Sequence, residues 1–87
     1  IDEQEIIEIN SNTYSVDAKI ELEEFIRFFG LTLDPLSVDA ETLGGLFISK
    51  FGVLPQAGNK INLEDLSIEV SDTDNRRIKK FIVSKNK

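Results

Sequence analysis

Two adjacent glycines, Gly44 and Gly45, stand in the first turn of a predicted helix, within the segment TLGGLFISKFG. Each glycine costs a helix about 1 kcal/mol relative to alanine. A helix start can bind an anion through its free N–H groups, or missing side chains can let another segment pack closely. We expect close packing against the sheet or the first helix, because the G-x-G-x-x-G pattern is absent. Thr42, Gly44 and Gly45 are the weaker candidates for binding a cofactor phosphate.

The segments around this helix predict an α+β fold with the order β-β-α-α-β-β-β. The predicted elements are strands at 5–10 and 13–17, helices at 20–30 and 42–52, and strands at 60–63, 64–72 and 76–84. Thr42 is the predicted N-cap of the second helix, and Gly30 and Gly52 end the two helices. Strands on both sides of a helix pair predict two layers, a mainly antiparallel sheet with both helices on one face.

The chain is expected to be a single domain spanning residues 1–87, with loose ends at 1–4 and 85–87. The sequence contains no methionine, which predicts that it is a piece of a longer protein. The last predicted strand has apolar residues on both of its faces. That pattern predicts a bulge, or a strand that is covered on both sides.

Four cations, Arg76, Arg77, Lys79 and Lys80, lie along the last predicted strand. Residues 1–44 hold eleven Asp/Glu and two Lys/Arg, whereas residues 45–87 hold five Asp/Glu and eight Lys/Arg. The net charge of −6 disfavours general nucleic-acid binding. We interpret the four cations as candidate contacts to an acidic partner or to lipid head groups. The alternative is a charged edge strand that discourages aggregation between sheets.

Composition excludes several kinds of chemistry. The sequence has no cysteine and no histidine, so thiolate metal sites and the usual general base are unavailable. We find no set of residues that meets the geometric requirements of an active site, and we expect a protein that is not an enzyme. No apolar run approaches the roughly 20 residues that a membrane span needs, so direct membrane insertion is not expected.

Acidic residues offer only weak metal-binding candidates. Asp2, Glu3, Glu5 and Glu8 could supply oxygen ligands to Mg²⁺, but a chain end does not fix their geometry, and no metal site is expected. The segment DTDN at 72–75 begins like a calcium loop. It lacks the glycine at the sixth position and the glutamate at the twelfth, where arginine and valine stand instead. A hairpin turn at 73–75 is the better interpretation.

The pattern of residues 42–84 resembles the transporter-associated domain of the CorC/HlyC family. The matching positions are Thr42, Leu43, Gly44 and Gly45 for T-L-G-G, then Gly52, Pro55 and Gly58 for G-x-x-P-x-x-G, and Arg76, Arg77, Ile78 and Lys79 for R-R-I-K. The resemblance extends over about residues 9 to 84. Ala18 and Ile20 depart from it, since the family usually has glycine and often a polar cap at those positions.

The resemblance implies a cytoplasmic C-terminal module that follows a transmembrane region and a pair of CBS modules. The family is linked to magnesium and cobalt efflux, its members are often labelled hemolysins, and its fold resembles the small α/β domain of FAD-binding enzymes. We therefore expect a non-catalytic regulatory or accessory module without a cofactor, whose partners are its own CBS and transmembrane regions or a second copy. The alternatives are a small-ligand module for an adenine nucleotide or flavin, and sensing of Mg²⁺ or Ca²⁺ by the acidic half.

Overall fold

The computed structural model describes residues 5–52, 55–74 and 77–86. The elements are β1 (Ile6–Asn10), β2 (Thr13–Asp17), α1 (Leu22–Phe29), a short 3-10 helix (Pro35–Ser37), α2 (Leu43–Phe51), β3 (Lys60–Leu63), β4 (Leu66–Asp74) and β5 (Arg77–Lys85). This order confirms the predicted succession of strands and helices and the α+β class. The expected loose residues 1–4 and 87 lie outside the described residues.

The strands form one sheet in the order β1-β2-β5-β4-β3, and every neighbouring pair is antiparallel. Ring contacts show where the helices lie on it. Tyr14 of β2 meets Phe29 of α1 with ring centroids 5.1 Å apart, and Phe81 of β5 meets Phe47 of α2 at 5.2 Å. Tyr14 and Phe81 face the same side of the sheet, because Tyr14 pairs with Val83. The predicted two-layer arrangement is therefore confirmed.

Both helices end at the predicted glycines and α2 begins after its predicted N-cap Thr42, whereas α1 begins at Leu22, two residues later than predicted. Gly30 and Gly52 follow α1 and α2 with φ angles of +65° and +88°, a left-handed conformation that glycine adopts without strain. Each glycine donates its N–H to a helix carbonyl, that of Ile26 or that of Ile48. Glu21 is the N-cap residue of α1, but its side chain accepts no hydrogen bond from the helix. The N–H of Leu22, the first residue of α1, donates instead to the Glu41 carbonyl at 2.8 Å.

The core lies between the sheet and the two helices. Its three fully buried aromatic residues, one from each helix and one from the central strand, are Phe25, Phe47 and Phe81. Aliphatic side chains fill the space around these rings: Val16, Ile20, Leu22, Leu43, Leu46, Ile68, Val70 and Val83. Burial of such side chains contributes about 1.5–3 kcal/mol each, so this cluster is the main source of stability.

Strand β5 carries the predicted bulge. The paired positions are Val70 with Phe81, Asp72 with Lys80, and Thr73 with Ile78. Ser71 is therefore an extra residue on β4, and Lys79 is an extra residue on β5. The extra residue lets Ile78 pack against the core even though it stands an odd number of residues from Phe81. The bulge thus explains the position of Ile78, whereas Ile82 stays on the opposite face of the sheet from Phe81 and Val83.

Four strand boundaries differ from the prediction, the first being that β1 begins at Ile6 rather than at residue 5. Glu64 and Asp65 were expected to begin a strand, but they form the turn between β3 and β4, and Glu64 has a φ of +54°. Strand β4 continues to Asp74, into the predicted turn at 73–75. Lys85, expected in the loose tail, is the last residue of β5, because its N–H donates to the Asn12 carbonyl at 2.8 Å.

Candidate functional site

The start of α2 has little capacity left for an anion. The Gly45 N–H donates to the Thr42 hydroxyl at 3.1 Å, as the N-cap prediction requires. The Leu43 N–H donates to the Ile20 carbonyl at 3.1 Å, and the Gly44 N–H donates to the Ala18 carbonyl at 3.0 Å. An anion site at a helix start uses these same N–H groups. The weaker ligand candidates Thr42, Gly44 and Gly45 are thus brought together, but their donors are already satisfied by the protein.

Gly44 is a close-packing position, as predicted. A Cβ atom at Gly44 would lie 3.2 Å from the Ala18 carbonyl oxygen and 3.4 Å from the Ala18 Cβ. At Gly45 a Cβ would make ordinary contacts of 3.4 Å with Ala40 and Thr42. The neighbour differs from the expected one: Gly44 packs against the segment between β2 and α1, rather than against the sheet or the first helix.

Ala18 joins α2 to the bulge of β5. Its N–H donates to the Lys79 carbonyl at 3.0 Å, while its carbonyl accepts from Gly44 at the same distance. Ala18 is only 5% exposed. Two distant segments, the T-L-G-G start of α2 and the β5 residues around Lys79, therefore meet at one residue. In the sequence, Ala18 stands out only as a departure from a family pattern, because no local signal shows what a loop residue packs against.

Three of the predicted contact cations lie together in an open cleft of about 630 Å³, which we call the basic cleft. The side chains that line it are Ile7, Asp17, Lys19, Asp74, Arg77, Ile78, Lys79 and Lys80. Arg76, the fourth predicted cation, lies outside the described residues. Lys19 was missed, because it stands about sixty residues away in the sequence and only the fold brings it here. Four cations against two carboxylates make the lining net positive.

The alternative of a protective edge strand is wrong, because β5 lies between β2 and β4 in the sheet. Residue pairing places Arg77 opposite Asp74, and Lys80 between Asp17 and Asp72. In the part of the chain that the structure describes, the only ion pair within 4 Å joins Arg27 to Glu23 at 3.7 Å. The cleft cations therefore keep their ammonium and guanidinium groups available for a partner.

Carboxylates gather beside the basic cleft, since Asp17 lines the cleft and also acts on Glu5. Burial raises the pKa of Glu5, and the negative charges of Glu24, Asp17 and Glu21 raise it further. Within residues 5–52, 55–74 and 77–86, no three Asp or Glu side chains are grouped closely enough to hold a metal ion. Asp2 and Glu3 lie outside these ranges.

The described residues of the segment 72–75, which are 72–74, do not form a calcium-binding loop. Asp72 and Asp74 belong to β4, which is extended chain rather than a calcium-binding loop. Asn75, the last residue of this segment, lies outside the described residues.

No helix in the described ranges is long and apolar enough to cross a membrane.

Comparison with known proteins gives a consistent result. Residues 7–87 match the family model CorC_HlyC, whose description is "Transporter associated domain". The chain is 35% identical over 80 residues to the magnesium and cobalt efflux protein CorC of Pasteurella multocida, an alignment that covers 88% of this chain and 26% of the relative. The chain thus spans about a quarter of the length of the curated relatives it matches.

Solved structures show the same fold. The CorC-associated region of Neisseria meningitidis MC58 superposes with a TM-score of 0.86 at 32% identity, over 94% of this chain and 99% of that one. A domain from a Xylella fastidiosa Temecula1 hemolysin, described in complex with Mg²⁺ and Mn²⁺, superposes with a TM-score of 0.84 at 24% identity, over 94% of this chain and 98% of that one. The second likeness supports the fold alone.

Proposed function

The chain belongs to the CorC_HlyC family of transporter-associated domains, and we propose that it is a non-catalytic accessory module of a magnesium and cobalt efflux protein. The relatives that carry this name are about four times as long as the matched segment. In such a protein the ion path lies in the remaining part, and this module adjusts its activity. We place the module on the cytoplasmic side of the membrane, as part of an integral membrane protein.

The module acts by packing against its own CBS and transmembrane regions. A packed module shifts a transporter between conformations only if it contacts the two conformations differently. Such contacts need a surface whose charges are not already neutralised within the module. A second copy is a further candidate partner, because the sheet edge β1 leaves Ile7 and Ile9 43% and 54% exposed.

The observation that carries this proposal is the basic cleft. Arg77, Lys79 and Lys80 share it, and none of them has a carboxylate within 4 Å among the described residues. The backbone beside this cleft is held in place, because Ala18 is hydrogen-bonded both to the bulge of β5 and to the start of α2. We propose that Arg76, Arg77, Lys79 and Lys80 form the contact surface, with Arg76 assigned from its place in the sequence.

Two alternatives have less support. Binding of an adenine nucleotide or flavin at Thr42–Gly45 requires N–H groups that the protein itself already uses. A thermal-shift assay with FAD, AMP and ATP tests it, and stabilisation by any of them would favour it. Sensing of a divalent cation requires a cluster of at least three carboxylate side chains, and the described residues form no such cluster. Calorimetric titration with Mg²⁺ and Ca²⁺ tests this second alternative.

Removal of the module from the full-length protein tests the main proposal. We expect the truncated protein to reach the membrane and to show slower Mg²⁺ and Co²⁺ efflux from preloaded cells. Membrane abundance, measured by immunoblot, serves as the control for expression. Unchanged efflux of both ions at equal abundance would contradict an accessory role.

A further inference from the structure

We infer that Lys19 and Lys79 form the carboxylate-binding pair of the basic cleft, and that the partner segment presents an acidic side chain next to an apolar one. This inference rests on the proposed function, because it names the chemistry by which the same cleft recognises its partner. It adds Lys19 to the contact surface and ranks the cations within that surface.

The backbone brings the two lysines together. The Ala18 N–H donates to the carbonyl of Lys79 at 3.0 Å, and Lys19 directly follows Ala18 in the chain. Both lysine side chains are exposed, and both line the basic cleft. A carboxylate has two oxygens, so it can accept a hydrogen bond from each of two neighbouring ammonium groups.

Pairing across the sheet separates Lys79 from the other cations of β5. Arg77 stands opposite Asp74, and Lys80 stands between carboxylates on both neighbouring strands. Charges that face each other across strands attract and partly neutralise each other. Lys79 is the extra residue of the bulge, so no residue of β4 stands opposite it. Its charge is therefore the least compensated along the strand.

Lys19, too, has carboxylates nearby but forms no ion pair with them among the described residues. Two carboxylates, those of Asp17 and Glu21, stand two residues from Lys19 in the chain. The Oδ1 atom of Asp17 accepts the backbone N–H of Lys19 at 2.8 Å. No ion pair to the Lys19 ammonium group occurs within 4 Å among the described residues.

The remaining lining sets the second requirement on the partner. Ile7 is 43% exposed and Ile78 is half-buried, so the cleft offers apolar surface next to the two lysines. An acidic segment with an apolar side chain would bury this surface and pair with the lysines at the same time. A purely polar anion such as free phosphate uses only the charges, so we expect it to bind more weakly.

The frame of the pair is fixed before binding. Ala18 is buried, and both its N–H and its carbonyl are hydrogen-bonded, to β5 and to α2. The backbone positions of the two lysines therefore lose little conformational freedom when a partner binds. Preorganisation of this kind raises affinity without adding contacts.

Titration of the 87-residue chain with a short probe tests the inference. The probe is an acetylated, amidated Leu-Glu-Asp-Leu peptide, followed by changes in the amide NMR spectrum. We expect the largest changes around Lys19 and Lys79, and weaker binding of the Leu-Gln-Asn-Leu analogue and of inorganic phosphate. Lys19→Gln and Lys79→Gln should each weaken binding about two- to five-fold, as expected for an exposed ion pair. Arg77→Gln and Lys80→Gln should weaken it less than Lys79→Gln.

Lys50→Gln is the matched control, since Lys50 is an exposed cation in the last turn of α2 and does not line the cleft. Equal effects of all five substitutions, or equal binding of the acidic peptide and its amide analogue, would overturn the inference. Neither result affects the outcome of the truncation experiment. A wrong assignment of the two lysines can therefore be distinguished from a wrong proposal of an accessory role.

Discussion

Ala18 uses both of its backbone polar groups in bonds to distant segments. Its N–H reaches Lys79 on β5, and its carbonyl receives the N–H of Gly44 at the start of α2. The backbone of this one residue holds together the T-L-G-G and R-R-I-K signature segments, which are more than thirty residues apart in sequence. The glycine at position 44 is therefore required by the approach of a carbonyl oxygen and not by a ligand.

Substitution of the two glycines should give different results. Gly44→Ala places a Cβ atom 3.2 Å from an Ala18 oxygen that is fixed by its own hydrogen bonds, so we expect a loss of about 1 kcal/mol of stability. Gly45→Ala meets only contacts of 3.4 Å, so it should be neutral or stabilise the helix by up to about 1 kcal/mol. Thermal unfolding measures both, and a stabilising Gly44→Ala would contradict the close-packing account.

At the scale of elements, α2 depends on its N-cap. The Thr42 hydroxyl accepts the N–H of Gly45 at 3.1 Å, and no acidic residue stands in the first turn to assist it. Thr42→Ala should lower the free energy of unfolding by about 1 kcal/mol, whereas Thr42→Ser keeps the oxygen and should cost less. Urea unfolding of the two variants measures this difference. Equal losses would mean that the hydroxyl does not cap the helix.

Glu64, in the turn between β3 and β4, accepts hydrogen bonds from the chain segment that follows α1. The Thr32 N–H donates to both carboxylate oxygens of Glu64 at 3.0 and 3.1 Å, and the Leu33 N–H donates at 2.9 Å. Hydrogen bonds from the Thr32 and Leu33 backbone lower the pKa of Glu64 below its ordinary value of 4.5, the Thr32 bond most strongly. The folded state thus favours the charged carboxylate.

This lowered pKa predicts a pH dependence of stability. A depressed carboxyl pKa stabilises the folded state above the ordinary value of 4.5, and the contribution is lost as the pH falls below it. Glu64→Gln should therefore lose less stability than the wild type between pH 6 and pH 3. Glu8→Gln, on the exposed strand β1, is the matched control. Melting temperatures over this pH range test the prediction, and parallel curves for Glu64→Gln and the wild type would contradict it.

Local signals predicted most elements correctly. The spacing of apolar residues, the N-cap Thr42 and the terminal glycines Gly30 and Gly52 all report on their own segment of chain. The strand start at Glu64 was wrong because a two-residue turn of acidic residues carries no glycine or asparagine signal. Lys19 and the role of Ala18 could not be predicted, since both depend on long-range packing. Charge alone makes Arg77, Lys79 and Lys80 candidate contacts, which stays a prediction. Their strand was predicted from the sequence, but its central place in the sheet was not.

At the scale of the whole molecule, the function that we propose depends on how the module meets the rest of a longer protein. The sheet and helices enclose a core of apolar residues and present the basic cleft beside the Ala18 link. The chain covers about a quarter of the length of its curated relatives. Under the proposed function, efflux itself would therefore belong to parts beyond this module. The central claim is that the cleft cations transmit the influence of the module to those parts.

Charge reversal in the full-length protein tests that claim most directly. The variant is Arg77→Glu with Lys79→Glu, and Lys50→Glu on α2 is the matched control outside the cleft. Circular dichroism of the isolated chain checks that both remain folded, and the measured quantity is the rate of Mg²⁺ and Co²⁺ efflux at equal membrane abundance. The account predicts a reduction of about five-fold or more for the cleft variant and a normal rate for the control. Normal efflux by a folded cleft variant would contradict it.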